Sequence, residues 1–147
     1  MAQLILLDAN LLVYANDVDS PHHEAARTWF EDTVNAPTKV GFPWPTLLAF
    51  VRLMGNPRIA RRPVPLADTW SRAQEWLALP TAWIPLPTDR HREILTRLLQ
   101  GESRPSLVND AHLAALAVEH GLTVCSSDRD FARFPDLRWE NPLTDSL

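Results

Sequence analysis

The sequence predicts an α/β fold, a parallel sheet covered by helices on both faces, on three observations. Short strand-like runs alternate with amphipathic helical segments along the chain, the pattern of strand–helix–strand units whose crossover helices cover a sheet. The first run, Leu4-Ile5-Leu6-Leu7, is continuously apolar, as a strand buried on both faces is. Acids follow two such runs, Asp8 after Leu7 and Asp128 shortly after Cys125, at the strand ends where sites in such sheets assemble.

Residues 3–8 read as a buried strand, followed by a short helix over Ala9 to Ala15. Ser20 as N-cap, Pro21 as first helical residue and Glu24 predict a helix to about Val34 that buries Ala25, Ala26, Trp29, Phe30 and Val34. Lys39 to Phe42 reads as a strand. Beyond Pro43 and Pro45, Thr46 to Met54 is helical and ends at Gly55-Asn56-Pro57. Arg58 to Pro65 is a basic loop. Leu66 to Leu79 is a helix with Trp70, Ala73, Trp76 and Leu77 on one face. Trp83 to Leu86 is a strand between prolines. Thr88 caps a helix with His91 at its third position and Ile94, Leu95, Leu98 and Leu99 inward. Asn109 caps a helix that ends near His120, with Gly121 suited to a left-handed C-terminal position. Leu122 to Cys125 is a strand, Asp128 to Phe134 a turn or short helix, and Leu137 to Trp139 a last edge strand.

A chain of 147 residues, 46% hydrophobic and 22% charged, is expected to form a single domain over residues 1–147. A net charge of −4 argues against a surface that binds nucleic acid everywhere, and leaves room for a local one. Lys39 is the only lysine among 14 basic residues, so cationic chemistry falls to arginine, which grips phosphate in bidentate fashion. Cys125, the one cysteine, rules out an internal disulfide, fits a reducing compartment and is expected to pack as a small buried hydrophobe. The start of the chain lacks a basic region, and Asp8 and Asn10 interrupt its apolar stretch, so no signal peptide is expected. No apolar run reaches the length of about 18 residues that spans a membrane. A cytoplasmic location is the expectation.

Asp110 lies in the first turn of the helix that precedes the Leu122 strand. That strand runs back against the helix, so the helix starts at the edge where Asp8 and Asp128 sit. Three carboxylates in one crevice repel one another strongly. A hard divalent cation with oxygen ligands, Mg²⁺ or Mn²⁺, resolves that repulsion and suits phosphodiester hydrolysis by a metal-activated water, with no side-chain nucleophile. Each acid also has a plainer reading: Asp8 as a helix cap, Asp110 as a first-turn acid answering the helix dipole, Asp128 as an N-cap. Asp130 reads as a fourth ligand, a partner to the ligands or a solvated turn residue.

Leu6-Leu7-Asp8-Ala9-Asn10, Asn109-Asp110-Ala111-His112-Leu113-Ala114-Ala115-Leu116-Ala117 and Ser126-Ser127-Asp128-Arg129-Asp130-Phe131 together resemble the PIN-domain ribonucleases, and more closely the VapC toxins of bacterial toxin–antitoxin pairs. Pro21 to Ala26, Leu47 to Leu53, Glu119-His120-Gly121 and Leu137 to Leu143 extend the resemblance over nearly the whole chain. It implies a PIN-like three-layer fold with four or five parallel strands, an Mg²⁺- or Mn²⁺-dependent endoribonuclease, a homodimer and a cognate VapB-type antitoxin that blocks the site. The family's acidic quartet maps onto Asp8, Asp110 and Asp128. Its fourth member, a glutamate on the helix after the second strand, has no counterpart in Thr46 to Arg52, where the resemblance puts Phe50 at that position. Asn10 then orients a ligand or water, and Ser126 or Ser127 bonds a carboxylate or phosphate.

Arg58, Arg61 and Arg62 form a basic cluster that reads either as a solvated loop or as a contact to an RNA backbone. Arg52 and Arg129 are expected nearer the crevice, to hold the scissile phosphate or an antitoxin carboxylate. Trp44, between Pro43 and Pro45, suits base stacking or an interface. His112 is expected to pack or face a partner, and His91 to lie on a helix surface. Two other readings stay open. An aspartyl-phosphate phosphotransferase also places its nucleophile at a first strand's end, but wants a second acid at Asn10 and a lysine. A non-catalytic interaction module is the other, kept alive by the missing glutamate.

Overall fold

The computed structural model describes residues 3–144. Five strands, β1 (Leu4–Leu7), β2 (Lys39–Gly41), β3 (Ala82–Trp83), β4 (Thr123–Cys125) and β5 (Trp139–Glu140), form one wholly parallel sheet in the order β3-β2-β1-β4-β5. Six helices connect them: α1 (Ala9–Asn16), α2 (His23–Asn35), α3 (Trp44–Met54), α4 (Leu66–Leu77), α5 (His91–Leu99) and α6 (Val108–His120). Two 3₁₀ turns, Pro105–Leu107 and Arg129–Arg133, complete the described elements. The chain steps outward from β1 to β3, then returns to the other side of β1 for β4 and β5. Strand order therefore reverses between β1 and β4, and a crevice opens at their carboxyl ends.

The three layers follow from β1 alone. Its side chains alternate between faces. Leu6 joins Ile94, Leu98, Leu116 and Phe131 under α5 and α6. Ile5 and Leu7 join Leu11, Leu12, Leu47, Phe50 and Trp76 under α1, α3 and α4. Every one of these is buried, which makes β1 the apolar run that the sequence displays. Thr46 fixes the start of α3 to the end of β1, its buried hydroxyl donating to the Leu7 carbonyl at 2.7 Å. Gly41 lets Pro85 close over β2, since a Cβ there would lie 3.0 Å from the proline ring.

Several boundaries differ from the sequence reading, each for a local reason. Ser20 closes a turn, its hydroxyl accepting from the His22 N–H at 3.1 Å, and α2 starts only at His23. Ala25 is then exposed, and the inward face is Ala26 with half-buried Trp29, Phe30 and Val34. Thr88 likewise caps a turn at Arg90, so His91 is the first residue of α5 and not the third. The 3₁₀ turn begun by Pro105 runs straight into α6, so Asn109 lies inside the first turn and caps nothing. Helix α3 starts two residues early at Trp44, because Pro45 is at home in a first turn. Gly121 does take the left-handed conformation, φ 69°, that ends α6.

Phe50 is 1% exposed and packs on Trp76 at 4.7 Å between ring centroids. Truncating it opens a cavity at the centre of the helical layer. Phe50→Ala is expected to lower unfolding free energy by about 3–5 kcal/mol in denaturant titration.

Candidate metal centre

Asp8 continues β1 by one hydrogen bond, its N–H donating to the Cys125 carbonyl at 3.1 Å. Its side chain then does two things. Oδ1 accepts from the Ala9 N–H at 2.8 Å and caps α1, and Oδ2 accepts from the Ser126 hydroxyl at 2.7 Å. Helix cap and site residue are thus the same carboxylate. Burial raises its pKa, the Ser126 and Ala9 hydrogen bonds oppose that, and the Asp128 charge adds to it.

Ser126 is the knot of the site. It is fully buried, and the hydroxyl that donates to Asp8 accepts from the Asp128 N–H at 3.0 Å and from the Asn10 amide at 3.2 Å. Edge strand β5 holds its backbone, through Ser126 N–H to the Glu140 carbonyl at 3.1 Å and the Trp139 indole to the Ser126 carbonyl at 3.1 Å. Its bonds are spent on the site residues, so it orients a carboxylate and does not reach a phosphate. The Ser127 N–H points at the Asn10 side-chain oxygen from 3.5 Å.

Asp128 caps the following 3₁₀ turn, its Oδ1 accepting from the Asp130 N–H at 2.9 Å. Asp110 stands in the first turn of α6. Burial first, then the charges of Asp8, Asp128 and Asp130, push its pKa up to about 7, with Arg104 working against the rise. Asp110, Asp128 and Asp130 can each offer an oxygen within 4.8 Å of the other two. Hard oxygen donors so close together fit a divalent cation.

A cleft of about 550 Å³ opens beside these acids. Its walls include Asp8, Asn10, Asp110 and Asp128 on one side, and Trp44, Thr46, Leu48, Ala49 and Arg52 of α3 on the other. Phe50 does not face the acids: it points into the core, and the α3 stripe toward the crevice runs Pro45, Ala49, Leu53 at helical spacing. The α3 residues that do line the crevice, Ala49 next to Phe50 among them, carry no carboxylate.

Arg52 lines the crevice, and so does Trp44; both also line a second, apolar groove of about 590 Å³ between α3 and α4, where Trp44 stacks on Trp70. Arg129 is exposed on the turn after Asp128. Arg58, Arg61 and Arg62 sit beyond the far end of α3 and line no part of the crevice. Arg62 grips Asp19 in the turn after α1, at 3.1 and 2.9 Å, and its hydrogen bonds hold the Asp19 carboxyl low. Lys39 opens β2 at the opposite sheet edge, its ammonium 5.0 Å from the Trp83 ring, so no lysine serves Asp8.

Two groupings had no signal in the sequence. Arg104 reaches Asp130 at 2.7 Å from just before the 3₁₀ turn. His91 bonds the Glu119 carboxylate on one ring nitrogen and His112 on the other, the latter at 3.1 Å. His112 is therefore packed between α5 and α6, and burial together with His91 lowers its pKa. His91 is half-buried in this pairing and does not stand free on the helix surface.

The raised Asp110 pKa has a stability consequence. A carboxylic acid with a folded-state pKa of about 7, against an ordinary 3.8, favours folding only while protonated. Its cost is absent below about pH 4, grows between the two values and is complete above the upper one. Asp110→Asn removes the ionisable group. In cation-free protein it is expected to raise stability by about 1 kcal/mol at pH 8, after allowance for solvent screening, and to change nothing at pH 4. Thermal melts across that range read both.

Residues 5–137 match the model of the PIN domain family. Ribonuclease VapC37 of Mycobacterium tuberculosis is 44% identical over 138 residues, covering 93% of this chain and 96% of that one. Ribonuclease VapC33 of the same species is 39% identical over 141 residues, with 95% and 99% covered. Among solved structures, VapBC2 from Rickettsia felis bound to a DNA fragment from its promoter superposes with a TM-score of 0.68 at 17% identity, covering 95% of this chain and 98% of that one. Family model, fold and relatives agree: this chain belongs to the PIN-domain family, among the VapC proteins.

Proposed function

We propose that this chain is a metal-dependent endoribonuclease and the toxin of a VapBC-type pair. One observation carries the reading. Asp8, Asp110 and Asp128, far apart in sequence, line one open crevice at the β1–β4 switch point, in a chain whose relatives are named ribonucleases. In this reading the chain works as one domain, as a homodimer, in the cytoplasm. No helix of the described residues is long and apolar enough to cross a membrane.

Asp8, Asp110 and Asp128 would hold Mg²⁺ or Mn²⁺, with Asp130 beside them. When bound, such an ion supplies positive charge beside a phosphate and lowers the pKa of water. Ser126 keeps Asp8 turned toward the crevice and Asn10 braces Ser126. Arg52 and Arg129 give the rim the positive charge that an RNA backbone needs, and Trp44 offers a ring face to a base. Hydrolysis forms a bond from phosphorus to the oxygen of water and breaks the bond to the departing ribose oxygen, which takes a proton. The apolar α3–α4 groove, where Leu66 is 61% exposed and Trp44 43%, suits an antitoxin segment. Trp44, Leu48 and Arg52 line both groove and crevice, which supports a segment bound in the one reaching the mouth of the other.

Purified, antitoxin-free protein is expected to cut RNA with Mg²⁺ or Mn²⁺, and Asp8→Ala or Asp110→Ala to abolish cleavage and toxicity without unfolding. Sequencing RNA ends after expression of wild type and Asp8→Ala reads this directly, and toxicity that persists in both variants would sink it. Ser126→Ala, which frees Asp8 from its donor, is expected to lower cleavage about 10–100-fold. Leu66→Glu is expected to raise about tenfold the antitoxin concentration that half-inhibits cleavage. If the wild type cuts nothing and Asp8→Asn changes nothing, the chain is an interaction module instead.

A further inference from the structure

The α3 wall of the crevice carries no acid. Behind Asp110 and Asp128, outside the residues that line the crevice, stands a cation. Arg104 donates from Nη2 to Asp130 Oδ2 at 2.7 Å, and Asp130 is within 4.8 Å, oxygen to oxygen, of Asp110 and Asp128. The pair bridges 26 residues and joins the segment before α6 to the turn after β4. It is not an incidental helix-surface pair.

Consider the charges. Asp8, Asp110, Asp128 and Asp130 bring four negative charges when ionised. The guanidinium offsets one, and it is charged at every working pH. One divalent cation offsets two more. A second would have to share Asp130 with Arg104 and would lack the α3 carboxylate. Hydrogen bonds further reduce the open oxygens: both of Asp8 and Oδ1 of Asp128 already accept one each.

We propose that Arg104 is the second positive charge of this site, so that the acids would hold a single divalent cation and the guanidinium would supply the charge that another metal ion would otherwise supply. The inference rests on the nuclease reading. Arginine suits the place because its planar fork can hold a carboxylate with one N–H and leave others for a phosphate oxygen. Arg104 then anchors Asp130 while RNA is absent and offsets charge on the phosphodiester as it is cut. The Arg104 side chain is 46% exposed, which leaves it open to substrate and makes it a substitution the fold tolerates.

The test uses the full chain and Mn²⁺ as the probe. Isothermal titration, with electron paramagnetic resonance of free Mn²⁺, is run without RNA on wild type, Arg104→Met and Arg104→Lys. Wild type is expected to bind one ion per chain. Arg104→Met removes a neighbouring positive charge and is expected to bind Mn²⁺ about tenfold more tightly, or to take up a second ion. Arg104→Lys is expected to keep the single ion at near wild-type affinity. At saturating Mn²⁺, RNA cleavage by Arg104→Met is expected to fall about 100-fold. Two ions in the wild type overturn the proposal, as does weaker Mn²⁺ binding by Arg104→Met, which would make Arg104 only a brace for a ligand. Wild-type cleavage by Arg104→Met at saturating Mn²⁺ overturns it too. The nuclease reading fails separately: then wild type and Asp8→Ala are equally inactive, whatever the ion count.

Discussion

The parallel ladder between β1 and β4 is the constraint on which the site hangs. It pairs Ile5 with Thr123, Leu6 with Val124 and Leu7 with Cys125, and one more bond carries it to Asp8. Side chains alternate along a strand, so a slip of one residue would turn Leu6 to the wrong layer and drive Asp8 into a core. The two apolar layers therefore enforce the register that brings Asp8 to Ser126. Packing sets the position of the chemistry, and the chemistry adds only the last hydrogen bonds.

Like charge is the cost of that convergence, and the fold answers it with backbone dipoles. Asp8 caps α1, Asp128 caps the 3₁₀ turn after β4, and Asp110 lies in the first turn of α6. Asp8 and Asp128 accept backbone N–H bonds there, and α1 and α6 turn their positive ends toward the crevice. The plain readings of these acids as caps and first-turn residues and the functional reading are one fact seen twice. A parallel sheet starts its helices where its strands end, so acids that cap helices there gather at one edge.

Much of this was legible in the sequence because it is local. Continuous apolarity marked β1, periodicity marked the helices, and Gly121 marked an ending. The acids were found because each follows a recognisable strand or opens a helix. What escaped depends on rotation or on distance. Ala49 and Phe50 differ by one step of about 100° around α3, and a sequence motif alone does not fix that angle. Ser20, Thr88 and Asn109 have cap chemistry, but two close turns and one is overtaken by the turn from Pro105. Arg104 with Asp130, and His91 with Glu119 and His112, meet only through tertiary packing, with no spacing rule to link them. The basic cluster at Arg58, Arg61 and Arg62 is conspicuous in sequence and lies beyond the far end of α3, off the crevice lining.

The Ser126–Asp8 bond has a consequence in time. It closes across 118 residues, and Ser126 is itself held by Trp139 and Glu140. A ribosome delivers Asp8 long before the strand that braces its partner. A chain being translated thus owns that acid, from β1 until β5 has emerged, without owning a site. On the proposed function, topology alone postpones the first cut until β5 has been made.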